Sequence, residues 1–107
     1  MGIYRPYMDG ALVAYRLPAG SPNTAYGQLV KKLYGQETSA HGYRYRRKGL
    51  LDDVPHRRLI RGVLILRRED RTRVVRLLRD LGAEVHVRIV TLTAEDRRAL
   101  KPMKGGE

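Results

Sequence analysis

The apolar residues of this chain change their spacing several times, and the order of those changes limits the fold more than any other feature. The segment "ALVAYRL" (residues 11–17) reads as a strand, closed by Pro18 and the turn residues Gly20 and Ser21. In "SPNTAYGQLVKKLYG", Ala25, Leu29, Val30 and Leu33 recur on one stripe. Ser21 as N-cap, Pro22 at the first helical position and Gly35 beyond the end predict a helix over about 22–34. "QETSAHG" reads as a loop, and "YRYRR" (43–47) alternates with period two, as a strand does. Lys48 to His56 form a connection with Asp52, Asp53 and Pro55 as turn residues. "RLIRGVLILR" (58–67) is the most apolar run and predicts a central strand. "EDRTRVVRLLRDLG" places Val74, Leu77, Leu78 and Leu81 on one helical face, with Asp70 as cap and Gly82 as terminator. "AEVHVRIVTL" (83–92) alternates again, and Thr93 caps a short helix "AEDRRALK" stopped by Pro102.

The succession is therefore β-α-β-β-α-β with a C-terminal helical appendix. It predicts an α+β, ferredoxin-like arrangement: a four-stranded antiparallel sheet in the order 4-1-3-2, two helices on one face and a short C-terminal helix. A chain of 107 residues supports one hydrophobic core, so residues 1–102 are expected as one domain and 103–107 as a frayed tail.

The charge is lopsided. Twenty-two Lys and Arg stand against eleven Asp and Glu, a formal net charge of +11 that suits a polyanionic partner. The excess concentrates in residues 41–72, where ten cations meet four anions. Most cations are Arg, whose planar fork matches phosphate and stacks on rings. Abundant charge and absent cysteine also fit a heat-adapted source, but ion-pair networks interleave both signs and do not require such an imbalance. With no Cys, disulfides and thiolate zinc sites are excluded. No apolar run approaches the ~20 residues of a membrane span, and "MGIYRPYMDG" lacks a signal-peptide core. Pro6 argues against myristoylation of Gly2. A cytoplasmic protein without membrane partner, cofactor or resident metal is the expectation.

Strand alternation then assigns faces, because a cation beneath the helices would cost several kcal/mol unless paired. Val13, Tyr15 and Leu17 would point inward, as would Tyr43 and Tyr45, then Ile60, Gly62, Leu64 and Leu66, then Val85, Val87 and Ile89. Arg16, Arg44, Arg46, Arg61, His86 and Arg88 would point to the open face, where Glu84 is the one carboxylate. "GYRYRR" resembles the aromatic-basic strand of RRM domains, in which aromatic rings on the open face stack on bases. The order of glycine and aromatics differs, however, and alternation sets these tyrosines opposite the arginines. Core packing of the rings is expected.

Catalysis is the rival reading. His56, Tyr45 and Lys48 or Arg57 could supply acid, base and phosphorane-stabilising cation for a metal-independent ribonuclease. Asp52 and Asp53 are the clustered carboxylates that this connection offers a magnesium-dependent nuclease, although adjacent turn carboxylates more often bind local amides. Ser21 and Ser39 lie in no nucleophile elbow, and His41, His56 and His86 lack zinc spacing. "AGSPNTAYG" lacks the glycine spacing and lysine of a phosphate loop, though the following helix could hold one phosphate. A third reading is assembly: Leu12, Ala14, Val63, Ile65, Val90 and Leu92 would lie between the open-face cations and suit a homodimer. The sequence most favours a nucleic-acid-binding protein, RNA or DNA, that grips phosphates through Arg16, Arg44, Arg46, Arg47, Lys48, Arg57, Arg58, Arg61 and Arg88.

Overall fold

The computed structural model describes residues 8–101. Pro102, the expected tail and the N-terminal segment through Tyr7 lie outside the described residues. The architecture is α+β, with a four-stranded antiparallel sheet and three helices. Strand β1 (Asp9–Arg16) leads into helix α1 (Asn23–Tyr34), then β2 (Gln36–Ala40) and β3 (Tyr43–Arg47). A 3-10 turn (Leu50–Asp53) precedes β4 (His56–Ile60) and β5 (Val63–Leu66). Helix α2 (Arg71–Asp80), strand β6 (Glu84–Thr91) and helix α3 (Ala94–Ala99) complete the described residues. The main sheet runs β4-β5-β1-β6, and β2 with β3 forms a separate two-stranded ribbon.

Two packing layers follow from alternation. Val13, Leu64 and Leu66 on one sheet face meet Leu29 and Leu33 of α1 and Val74 and Leu78 of α2, all buried. Truncating such a leucine costs ~2–5 kcal/mol through lost transfer energy and the cavity left behind. On the opposite face Ile65 packs with Leu92 and Leu100, flanked by Leu12 and Val90. The turn into α3 is fixed by a capping box: the Asp96 amide donates to Thr93 Oγ1 and the Thr93 amide to Asp96. The expected cap is thus present, and Leu100, at the end of α3, packs into a cluster with four of the six residues expected to serve a homodimer, Leu12, Ile65, Val90 and Leu92.

The expected ferredoxin-like strand assignment departs from the structure at two places. Tyr43–Arg47 does not enter the main sheet; it pairs with residues 36–40, expected as loop, through the two-residue turn His41–Gly42. Both turn residues have positive φ, 52° and 81°, the geometry that matches the twist of a tight hairpin. The run 58–67 is not one strand either. It folds back at Arg61–Gly62, where Gly62 adopts φ 85° and a Cβ would lie 2.7 Å from the Tyr15 carbonyl oxygen. Gly62 is therefore a turn residue, and Ile60 beside it is 67% exposed rather than internal. Ile89, also expected inside, keeps about half its surface in solvent.

Cap chemistry differs too. Pro22 occupies the N-cap of α1, with Ser21 Oγ turned to the Pro18 carbonyl at 2.7 Å. Asp70 occupies the N-cap position of α2, as expected, but its carboxylate accepts from Arg67 Nε at 2.7 Å and bonds no helix amide. Gly82 follows α2 with φ 85°, as expected of a terminator.

Candidate nucleic-acid interface

The ribbon is held to the body at its root. Arg46 reaches back from β3 and donates through Nη2 and Nη1 to both oxygens of Asp52, at 2.8 and 3.1 Å. Its Nη2 also meets the Tyr34 carbonyl at 3.4 Å, and Nη1 the Arg47 carbonyl at 3.3 Å. Asp52 in turn accepts the Gly49 amide at 2.8 Å. The two ends of the ribbon come so close that a Cβ on Gly49 would collide with the backbone of Gly35 and Leu33. Arg46 is thus a strut, engaged by its own chain.

Beyond the root every residue from 37 to 48 is exposed. Register puts Gln36, Thr38 and Ala40 on one ribbon face with Tyr43, Tyr45 and Arg47. Arg44 and Arg46 share the other face with Ser39 and Glu37. The tyrosines, expected in the core, are 67% and 55% exposed, with ring centroids 6.4 Å apart and planes tilted by 44°. Their face carries no carboxylate. The core expectation failed because it assumed that Tyr43–Arg47 was covered by helices.

The cations expected to grip phosphate differ in how far their own chain engages them. Four of the nine have carboxylate partners in the chain: Arg16 on Glu84 at 3.1 Å, Arg46 on Asp52, Lys48 on Asp53 at 3.5 Å, and Arg57 on Asp96 at 2.9 Å. Glu84, the exception foreseen on the open face, also meets His86 at 2.8 Å. Hydrogen bonds from His86 and Arg16 hold its carboxyl below the ordinary range. Arg58 lies over the Tyr34 ring, 5.5 Å from its centroid, and Arg88 donates to the Val87 carbonyl. Arg44, Arg47, Arg58, Arg61 and Arg88 make no ion pair among the described residues.

The groups considered for catalysis are dispersed among other bonds. His56 Nδ1 meets the Val54 carbonyl at 2.8 Å, and its ring stands edge-on to Tyr34. Lys48 turns to Asp53, while Tyr45 stands on the exposed ribbon, and no hydrogen bond links the three. Asp52 and Asp53 each hold a cation of this chain, and no cluster of three metal-ligating side chains occurs among the described residues.

One concavity was not foreseen in the sequence. A cleft of about 590 Å³ opens between α1 and the β4–β5 turn, bordered by Tyr15, Tyr26, Tyr34, Arg58 and Arg61. The Tyr15 and Tyr34 hydroxyls stand 3.4 Å apart. Burial, reinforced by that hydrogen bond, pushes the Tyr15 phenol well above its usual pKa and keeps it protonated. Its members lie far apart in sequence, so no local motif announced it.

No protein-family model matches the chain, and searches of curated proteins and of solved structures likewise find no match. No helix among the described residues is long and apolar enough to cross a membrane.

Proposed function

We propose that this protein binds single-stranded nucleic acid through the ribbon of residues 36–47. The observation that carries the reading is the uncovered face on which Tyr43, Tyr45 and Arg47 alternate without a carboxylate. Exposed aromatic rings stack on unpaired bases of any sequence, and neighbouring cations neutralise the strand's phosphates. Arg44 on the reverse face adds a second phosphate contact, and the net charge of +11 favours capture at a distance. Of the residues expected to grip phosphate, Arg44 and Arg47 do so in this reading, and Arg46 supports them. We also read the main sheet, taken without the ribbon, as a ferredoxin-like β-α-β-β-α-β body with the ribbon inserted after α1.

Fluorescence anisotropy with a labelled single-stranded oligonucleotide tests this reading. Replacing Tyr43 and Tyr45 by Ala should weaken binding by ~1–3 kcal/mol for each base unstacked. Replacing Arg44 and Arg47 should flatten the salt dependence by about 0.7 for each phosphate no longer neutralised. If duplex binds more tightly than single strand, or if the tyrosine variant binds as wild type, the stacking face is not the site.

A further inference from the structure

The cleft beside α1 combines three properties that the ribbon lacks: concavity, an apolar wall and convergent polar groups. Its volume of about 590 Å³ falls within the ~300–1,000 Å³ of small-molecule sites. The wall comes from α1, where Leu29 is buried but Tyr26 and Val30 keep 38% and 49% of their surface in solvent. An amphipathic surface helix ordinarily turns such residues away from water, so this stretch of α1 lacks the cover its composition suits. Across from it, Arg58 and Arg61 border the opening, and neither makes an ion pair among the described residues. No Asp or Glu lines the cleft itself; the one carboxylate beside it, Glu84, is already paired with Arg16 at the border.

The polar groups are also held in place. Arg58 rests on the Tyr34 ring, which orders the guanidinium without neutralising it. The Tyr15 and Tyr34 hydroxyls form a pair of which only one proton is used between them, leaving the other to donate outward. Asn23, the first residue of α1, adds an amide at the rim.

An apolar aromatic wall facing unpaired guanidinium groups fits a ligand that is flat at one end and multiply anionic at the other. We infer that this cleft binds a nucleotide, with the base against Tyr26 and Val30 and the phosphate between Arg58 and Arg61. Arginine matches phosphate oxygens through paired N–H donors, and the tyrosine hydroxyls supply hydrogen bonds to the sugar or base edge. The site is separate from the ribbon, so it does not depend on the ribbon reading. The nucleotide could be free or could be the phosphorylated end of a strand, because both present the same chemistry.

Isothermal titration of the full chain with adenosine 5′-monophosphate, adenosine and inorganic phosphate tests the assignment. The monophosphate should bind saturably, and at least tenfold more tightly than either adenosine or phosphate alone. The variant R58A/R61A, altered only at exposed positions, should lose at least tenfold in affinity while keeping its circular dichroism and melting temperature. Y43S/Y45S, in the ribbon, should bind the mononucleotide as wild type does. Comparing a 5′-phosphorylated trinucleotide with its 5′-hydroxyl form then separates the two sources: preference for the phosphorylated form places a strand end in the cleft, and equal weak binding beside a tight mononucleotide places a free nucleotide there. Absence of saturable binding, equal affinity for adenosine and its monophosphate, or indifference to R58A/R61A would each overturn the assignment. Loss of oligonucleotide binding in Y43S/Y45S with mononucleotide binding intact would support both sites separately.

Discussion

Removing the Arg46 guanidinium should release the ribbon while leaving the sheet almost untouched. Arg46→Ala deletes two charge-assisted bonds to Asp52 and two longer bonds to the Tyr34 and Arg47 carbonyls. An exposed ion pair alone contributes ~0.2–1 kcal/mol. Here the geometry is bidentate, Asp52 is about three-quarters buried, and bonds to charged groups contribute ~1.5–3 kcal/mol where solvent is excluded. With the arginine half-exposed, ~1–2 kcal/mol is the reasonable magnitude. A two-stranded ribbon is marginal by itself, so this loss should appear as local opening. Hydrogen–deuterium exchange should therefore quicken about 5- to 30-fold at the ladder amides of residues 36–47, with far smaller changes in β1 and β6. Arg46→Lys, which keeps the charge but loses the fork, should fall between. Unchanged exchange in the ribbon, or equal acceleration throughout the sheet, would refute the strut assignment.

Two further outcomes follow from the body of the fold. Burial opposes ionisation of Asp96, but bonds involving Thr93 and the Arg57 guanidinium outweigh it and hold the carboxyl below the ordinary aspartate range. A depressed folded-state pKa stabilises α3 above the unfolded aspartate range and ceases to do so as pH falls through the folded value, so acid should loosen α3 in wild type and Asp96→Asn should remove that acid-dependent step; residue-resolved exchange of residues 93–100 between neutral and strongly acid pH is the check. Gly62→Ala should destabilise the protein by ~1–3 kcal/mol, measured by denaturant unfolding, because φ is 85° there and the new Cβ would crowd the Tyr15 carbonyl.

Some of this fold was legible in sequence, and the reasons differ by element. The α2 stripe of Val74 and Leu78 was readable because a helix buried on one face must repeat its apolar residues at helical spacing. Strand β6 showed its alternation for the same reason. Strand β2 shows no such signal: "QETSA" buries little and is held by backbone bonds, which no side-chain pattern records. The ribbon tyrosines were placed in the core only because their strand was assigned to the main sheet. The fold-back at Arg61–Gly62 hid inside an apolar run, since one glycine was enough to turn the chain. Within the candidate interface the cluster of cations was visible, but their partners were not. Arg46 meets Asp52 across a turn, and Arg57 meets Asp96 across 39 residues, distances that carry no pattern.

The meeting of Gly35 and Gly49 at the ribbon's base gives the molecule a modular seam. Where two chain ends nearly touch, the segment between them can be shortened, lengthened or exchanged without changing the path of the remaining polypeptide. The body formed by β1, α1 and β4–β6 is in that sense a platform, and the appendage on it is the part most open to replacement by evolution or by design.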